Sequence, residues 1–140
     1  MNNETCLFCK IINKQIPAHV IYENDNVLAF LDIMPRAPGH TMVIPKTHAP
    51  TLIDLPDAEV VPLFEAVKKV DAMLTKKLTP DGMTIGINQG KASGQEVAHL
   101  HVHLMPRWHN DKGGSVQSAV NNPPKESVEE TKKRIMLHGA

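Results

Sequence analysis

The run His99-Leu100-His101-Val102-His103-Leu104-Met105-Pro106-Arg107 constrains this chain more than any other stretch of it. Three histidines alternate with apolar residues, which is the period of a half-buried β-strand. The pattern predicts a strand over Val97–Pro106 with Leu100, Val102 and Leu104 toward a core and His99, His101 and His103 on the opposite face. Packing alone selects β-branched and aromatic residues for such a row, not imidazoles. Histidine titrates near neutral pH and serves as base, nucleophile or metal ligand. Residues two apart on a strand are about 6.5–7 Å apart, so one small anion can touch two of them. The active site is expected on this strand.

The approach to it supports that reading. A second alternating strand, Met83–Asn88, leads into a loop with Gly90 and Gly94 and then into the histidine row. Glycines let backbone N–H groups approach a ligand closely, and a run of such groups is a natural anion nest. The loop alone is ordinary turn chemistry. Beside three histidines it suggests phosphate.

The rest of the chain reads as one domain with a variable tail. A short helix from about Leu7 to Asn13 precedes strands Ala18–Tyr22 and Val27–Asp32, joined by the turn-rich Glu23-Asn24-Asp25-Asn26, and a third strand, Thr41–Pro45. Between Asp57 and Leu78, apolar residues at Val60, Phe64, Val67, Leu74 and Leu78 keep helical spacing. Pro62 inside that pattern predicts an irregular first turn or a late start. After Asn110 the composition shifts to Gly, Ser, Asn and Pro through Pro124, a mobile loop, and Glu126–Leu137 reads as a short helix. The domain is thus residues 1–109 and the tail 110–140.

Charge and hydropathy exclude several classes. Lys plus Arg and Asp plus Glu number 15 each, so no overall field recruits nucleic acid or a membrane surface. No apolar run approaches the roughly 20 residues that span a bilayer. The polar start Met1-Asn2-Asn3-Glu4 is not a signal peptide, so a cytoplasmic location is expected.

Cys6 and Cys9 form a CxxC pair with three competing readings. A disulfide is disfavoured by a reducing compartment. A thioredoxin-like redox pair needs a preceding strand, and none is present. Zinc needs four ligands in a tetrahedron, so CxxC is half a site.

Three ordered blocks resemble the histidine triad (HIT) family. They are Phe8-Cys9-Lys10-Ile11-Ile12 with Ile16-Pro17-Ala18, then Ala29-Phe30-Leu31-Asp32-Ile33 with Pro38-Gly39-His40 and Val43–His48, then Gly94-Gln95 through the histidine row. The resemblance covers about Cys6 to Arg107. It implies an α+β fold, an antiparallel sheet of about five strands with one long and one short helix, and a homodimer whose sheets run on. By position His101 matches the nucleophile, attacking the α-phosphorus of a nucleotide to form a nucleotidyl-histidine that water hydrolyses. Its other ring nitrogen must carry a proton, most simply donated to a backbone carbonyl. His103 and His40 match positions that hold the phosphate region, with Asn88 and the backbone at Gly94 and Gln95 as donors. Asp32 matches the ribose acceptor. Phe8, Ile11, Ile16, Phe30, Ile33 and Met42 match the base pocket, although patterning alone assigns them to the core. Several relatives complete a CxxC zinc site with two histidines, which here are His48 and His99. That zinc would be structural, and no catalytic metal is required.

One departure concerns the leaving group. Glu96 stands where many relatives have serine or threonine. A carboxylic acid there could protonate a departing amine if burial raised its pKa; the alternative is an exposed carboxylate at a strand start. With that lean toward an amine, the resemblance implies a purine nucleoside phosphoramidase acting on conjugates of AMP or GMP, with a diadenosine polyphosphate hydrolase or a non-catalytic nucleotide-binding protein as alternatives.

Overall fold

Val27–Leu31 and Thr41–Pro45 are nearly unbroken apolar runs, the pattern of strands covered on both faces, and the chain buries them so. The computed structural model describes residues 3–137; residues 1–2 and the tail's last residues, 138–140, lie outside the described residues. Five strands, β1 (Val20–Glu23), β2 (Val27–Leu31), β3 (Thr41–Pro45), β4 (Gly82–Gly86) and β5 (Val102–Arg107), form one antiparallel sheet in the order β1-β2-β3-β5-β4. The helices are α1 (Leu7–Ile12), α2 (Val60–Leu78) and α3 (Val128–Ile135).

Local chemistry sets the boundaries. The Asn24 side chain accepts from the N–H groups of Asn26 and Val27, which closes the β1–β2 turn. A 3-10 turn at Asp57–Glu59 leads into α2. Pro62 falls in the first turn of α2, where no intrahelical N–H bond is lost. Thr79 ends α2 in the left-handed region at φ 49°. Ser127 caps α3 by accepting from the Glu130 N–H.

Each face of the sheet has its own core. On one face α2 packs Leu63, Val67, Val70 and Leu74 against Val27, Ala29, Val43, Val102 and Leu104. The buried stripe therefore runs through Leu63 and Val70, whereas Phe64 and Leu78, expected inside, are 40% and 38% exposed. Val67 and Leu74 are buried as predicted, and the rest of the stripe falls on the Leu63, Ala66 and Val70 side rather than on that of Phe64 and Leu78. On the other face, Cys6, Phe8 and Cys9 of the α1 region pack against Leu28, Phe30, Met42 and Ile44.

The histidine row departs from the predicted strand in one respect. Pairing begins only at Val102, so His99 and His101 precede β5. Continuing the β3–β5 register would set Pro45 opposite Leu100, and proline has no N–H for a ladder. Leu100 donates instead to the Ala49 carbonyl, 2.7 Å away. The alternation survives: Leu100, Val102 and Leu104 all enter the α2 core. Similarly, β4 ends at Gly86, so Asn88 lies in the following loop.

Candidate active site and metal centre

His101 is buried, with its Nδ1 2.7 Å from the His99 carbonyl oxygen. A carbonyl only accepts, so Nδ1 carries a hydrogen, and in the neutral ring the lone pair lies on Nε2. The ring is held edge-on by Phe8 at 5.1 Å and by His103 at 5.0 Å between centroids.

His103 belongs to a relay. The Arg36 backbone N–H donates to His40 Nδ1 at 3.1 Å, and His40 Nε2 lies 2.9 Å from His103 Nδ1. With His40 Nδ1 accepting, its Nε2 must donate, and His103 must present an Nε2–H. Asp32 Oδ2, 3.7 Å from His40 Nε2, favours a charged ring, but burial outweighs it and holds the His40 pKa down. Burial lowers His103 further, to about 4, with the neighbouring His101 and His40 acting in the same direction. Both rings are therefore neutral donors at neutral pH. The same bond occupies the facing nitrogens of His40 and His103, which accounts for the Asp32–His40–His103 cluster without a metal.

Four other side chains converge behind His101. One ligand atom each from Cys6, Cys9, His48 and His99 lie within 4.8 Å of one another. His99 Nδ1 is 3.4 Å from Cys6 Sγ and 3.6 Å from Cys9 Sγ, and His48 Nδ1 is 3.3 Å from Cys9 Sγ. A tetrahedral zinc with ordinary bond lengths sets ligand atoms about 3.4–3.8 Å apart, so the quartet fits the ion. His99 donates through Nε2 to the Pro45 carbonyl at 2.8 Å, which turns the Nδ1 lone pair toward the sulfurs. Burial pushes the Cys9 thiol pKa up, so a cation is what would hold it as thiolate. Cys6 also caps α1, its Sγ accepting from the Cys9 N–H.

The remaining predicted residues divide. Phe8, Phe30 and Met42 are buried in the α1-side core, and Ile11 packs against it. Ile11 and Ile16 line a cavity with Pro17, Ala18 and Leu28. Ile33 is 81% exposed. Asp32 Oδ1 accepts from the Met34 N–H. Gly90 and Gly94 take φ 86° and 98°, left-handed values suited to glycine. The N–H groups of Gly94 and Gln95 donate within the turn, to the carbonyls of Lys91 and Gly90. The Gln95 side chain staples the loop, accepting from Gly90 N–H and donating to the Pro50 and Val97 carbonyls. Asn88 and His103 line one cavity. Glu96 is exposed and lines another, beside Asn3, Thr5, Cys6 and His48.

Sequence reasoning passed over Arg36, whose backbone N–H sets the relay's direction, and the contacts of Arg107 and Asp111 beyond β5. The pairing of Arg107 with an acid four residues later was a readable signal; the Arg36 contact was not, because it runs through backbone.

A five-stranded antiparallel sheet carrying a row of three histidines, the middle one with a free ring nitrogen, defines the histidine triad class. The chain belongs to this family: the HIT domain matches residues 13–110. A HIT-like protein of Methanocaldococcus jannaschii is 51% identical over 106 residues, covering 76% of this chain and 81% of the relative. The adenylylsulfatase HINT3 of Arabidopsis thaliana is 37% identical over 106 residues, 76% of this chain but 54% of that protein. The crystal structure of a zinc-bound histidine triad family protein from Mycobacterium smegmatis superposes with a TM-score of 0.73 at 42% identity, covering 77% of this chain and 78% of that one. No helix among the described residues is long and apolar enough to cross a membrane.

Proposed function

We propose that the protein hydrolyses, or transfers the nucleotidyl group of, purine nucleoside 5′-phosphate conjugates through a nucleotidyl-histidine on His101. The observation that carries this reading is the His101 Nδ1 to His99 carbonyl bond. In the neutral ring it puts the lone pair on Nε2, where a nucleophile toward phosphorus needs it. The Nε2–P bond forms as the P–X bond breaks and X departs with the electron pair. Water then attacks phosphorus, returns the imidazole and releases the nucleoside monophosphate.

The neighbours fit complementary tasks. The His103 Nε2–H and the Asn88 amide donate to non-bridging oxygens, whose charge rearranges in the transition state. His40 positions His103. The Gly94–Gln95 backbone would exchange its turn bonds for the phosphate. Asp32 accepts from ribose hydroxyls, and Phe8, Ile11, Ile16, Phe30, Ile33 and Met42 flank the base. Zinc on Cys6, Cys9, His48 and His99 would supply a structural crosslink, its four ligands leaving no open position for water. The adenylylsulfatase relative supports hydrolysis at a nucleotide's α-phosphate as the general kind of reaction.

The finer assignment, a phosphoramidase with Glu96 as acid to a departing amine, has weaker support, because Glu96 is exposed and lines a cavity apart from Asn88 and His103. Its test is steady-state turnover of an adenosine phosphoramidate with a fluorogenic amine, beside a diadenosine polyphosphate, for wild type and His101→Ala. Cleavage that vanishes with His101 supports the mechanism. Nucleotide binding without turnover would leave only a binding protein.

A further inference from the structure

The four ligands of the metal centre are not equally covered. Cys9 and His99 are 1% and 0% exposed, Cys6 is 8% exposed, and His48 is half-buried. The two less covered ligands, Cys6 and His48, both line one cavity of about 270 Å³. The deep side of the quartet is closed by the core. Phe8 stands edge-on to the His99 ring at 5.9 Å between centroids, and His99 Nε2 bonds the Pro45 carbonyl at 2.8 Å. A water takes about 30 Å³ of liquid, so the cavity has room for a cation with waters still attached. One wall is the N-terminal turn. There Asn3 Oδ1 accepts from the Thr5 N–H at 2.9 Å and from its hydroxyl at 2.7 Å. The Cys6 N–H closes the turn by donating to the Asn3 carbonyl at 3.0 Å. Another wall is the approach to the histidine row, and it carries the exposed Glu96, the one carboxylate lining the cavity among the described residues.

Building on the metal reading of that quartet, we propose that this cavity is the port through which a divalent cation reaches it in the folded protein, and that Glu96 captures the ion at the mouth. Buried ligands need an entry path, and this cavity already touches two of the four. Cys6 and His48 meet the ion first, and Cys9 and His99 complete the tetrahedron from beneath. A carboxylate beside a cleft attracts an arriving dication and raises the rate of association. The loaded centre is different. Two thiolates cancel the charge of the ion, so Glu96 has little net attraction for it once bound. Glu96 therefore acts on passage in both directions and leaves the affinity almost unchanged. The occupancy of the centre then follows the free ion concentration without unfolding of the chain. Glu96 lies apart from the cavity of Asn88 and His103, so this task draws on none of the chemistry at His101.

The test follows metal loading of the full chain, stripped by chelation under reducing conditions. Stopped flow with cobalt(II) reads the cobalt–thiolate absorption, and zinc(II) is measured by displacement of that signal. Wild type, Glu96→Asp, Glu96→Gln and Glu96→Lys are compared, with a melting curve for each. The association rate constant should fall about fivefold in Glu96→Gln and at least about tenfold in Glu96→Lys, with Glu96→Asp within about twofold of wild type. Dissociation into a neutral chelator should slow by similar factors, which leaves Kd within about twofold, and the differences should shrink as salt rises. Equal association rates in wild type, Glu96→Gln and Glu96→Lys overturn the port, as do rates that do not rise with ion concentration and so report unfolding. Faster dissociation at an unchanged association rate would make Glu96 a brace of the bound centre and overturns it too. A wild type that takes up neither ion sinks the metal reading itself, and the port with it.

Discussion

The ring of His101 hydrogen-bonds to the backbone carbonyl of His99, 2.7 Å away, while the ring of His99 faces the two cysteines. One residue thus serves two centres. Its side chain belongs to the metal-ligand quartet, and its carbonyl fixes the tautomer of the nucleophile. Replacing His101 with alanine is expected to lower kcat by at least about 10³-fold, the scale of losing a covalent catalyst. Calorimetry alongside the kinetics should show a folded protein. Retention of more than about a tenth of wild-type turnover would contradict the role given to His101.

The His40–His103 relay makes a pH prediction. Burial depresses the His103 pKa from 6.5 to about 4. The unfolded chain therefore takes up a proton at higher pH than the native one does. Stability from this group is full above about 6.5 and is lost as pH falls from there toward about 4. Denaturant midpoints measured across that window should decline, and the decline should shrink in His103→Asn. Nitrogen chemical shifts would assign the group directly: His103 should remain neutral at pH 6, and a ring already protonated there would refute the relay.

The quartet of Cys6, Cys9, His48 and His99 should bind one zinc per chain, measured by elemental analysis of protein purified under reducing conditions. Chelation, or Cys9→Ala, is expected to remove the ion and lower Tm by ~5 °C or more, because a site absent from the unfolded chain adds its binding energy to folding. A metal-free protein that gains no Tm on zinc addition would show that the cysteines serve only as core residues and as the α1 cap.

Asp111 organises the segment after β5 from an exposed position. Asp111→Ala should lower Tm only modestly, because the contacts it removes hold a surface segment and not the core. It should also speed proteolytic cleavage between Trp108 and Ala119, because Arg107 and two backbone N–H groups lose their acceptor. Mass spectrometry of limited digests reads this out. Cleavage at the wild-type rate would mean that the segment is held by other contacts.

The cores were largely legible before the structure, because an apolar period of two marks a strand covered on one face and an unbroken apolar run marks one covered on both. Leu100, Val102 and Leu104, and the runs Val27–Leu31 and Thr41–Pro45, needed no tertiary information. The α2 stripe was less legible. Its sequence carries more apolar residues than one face can hold, and only the packing angle decides for Leu63 and Val70 over Phe64 and Leu78.

The sequence by itself determined the residue types of both centres and the three ordered blocks that carry them. Imidazole and thiolate chemistry depends on side-chain identity, and alternation specifies their face. What only the tertiary structure decided is direction. Which nitrogen of His101 is free depends on the His99 carbonyl, and which nitrogen of His103 donates depends on the Arg36 N–H through His40. The placement of Glu96 and Lys112 in different cavities depends on how two loops fold. Carbonyls and N–H groups are the same at every position but proline, so no residue pattern marks the ones that set a tautomer; only their place in space does.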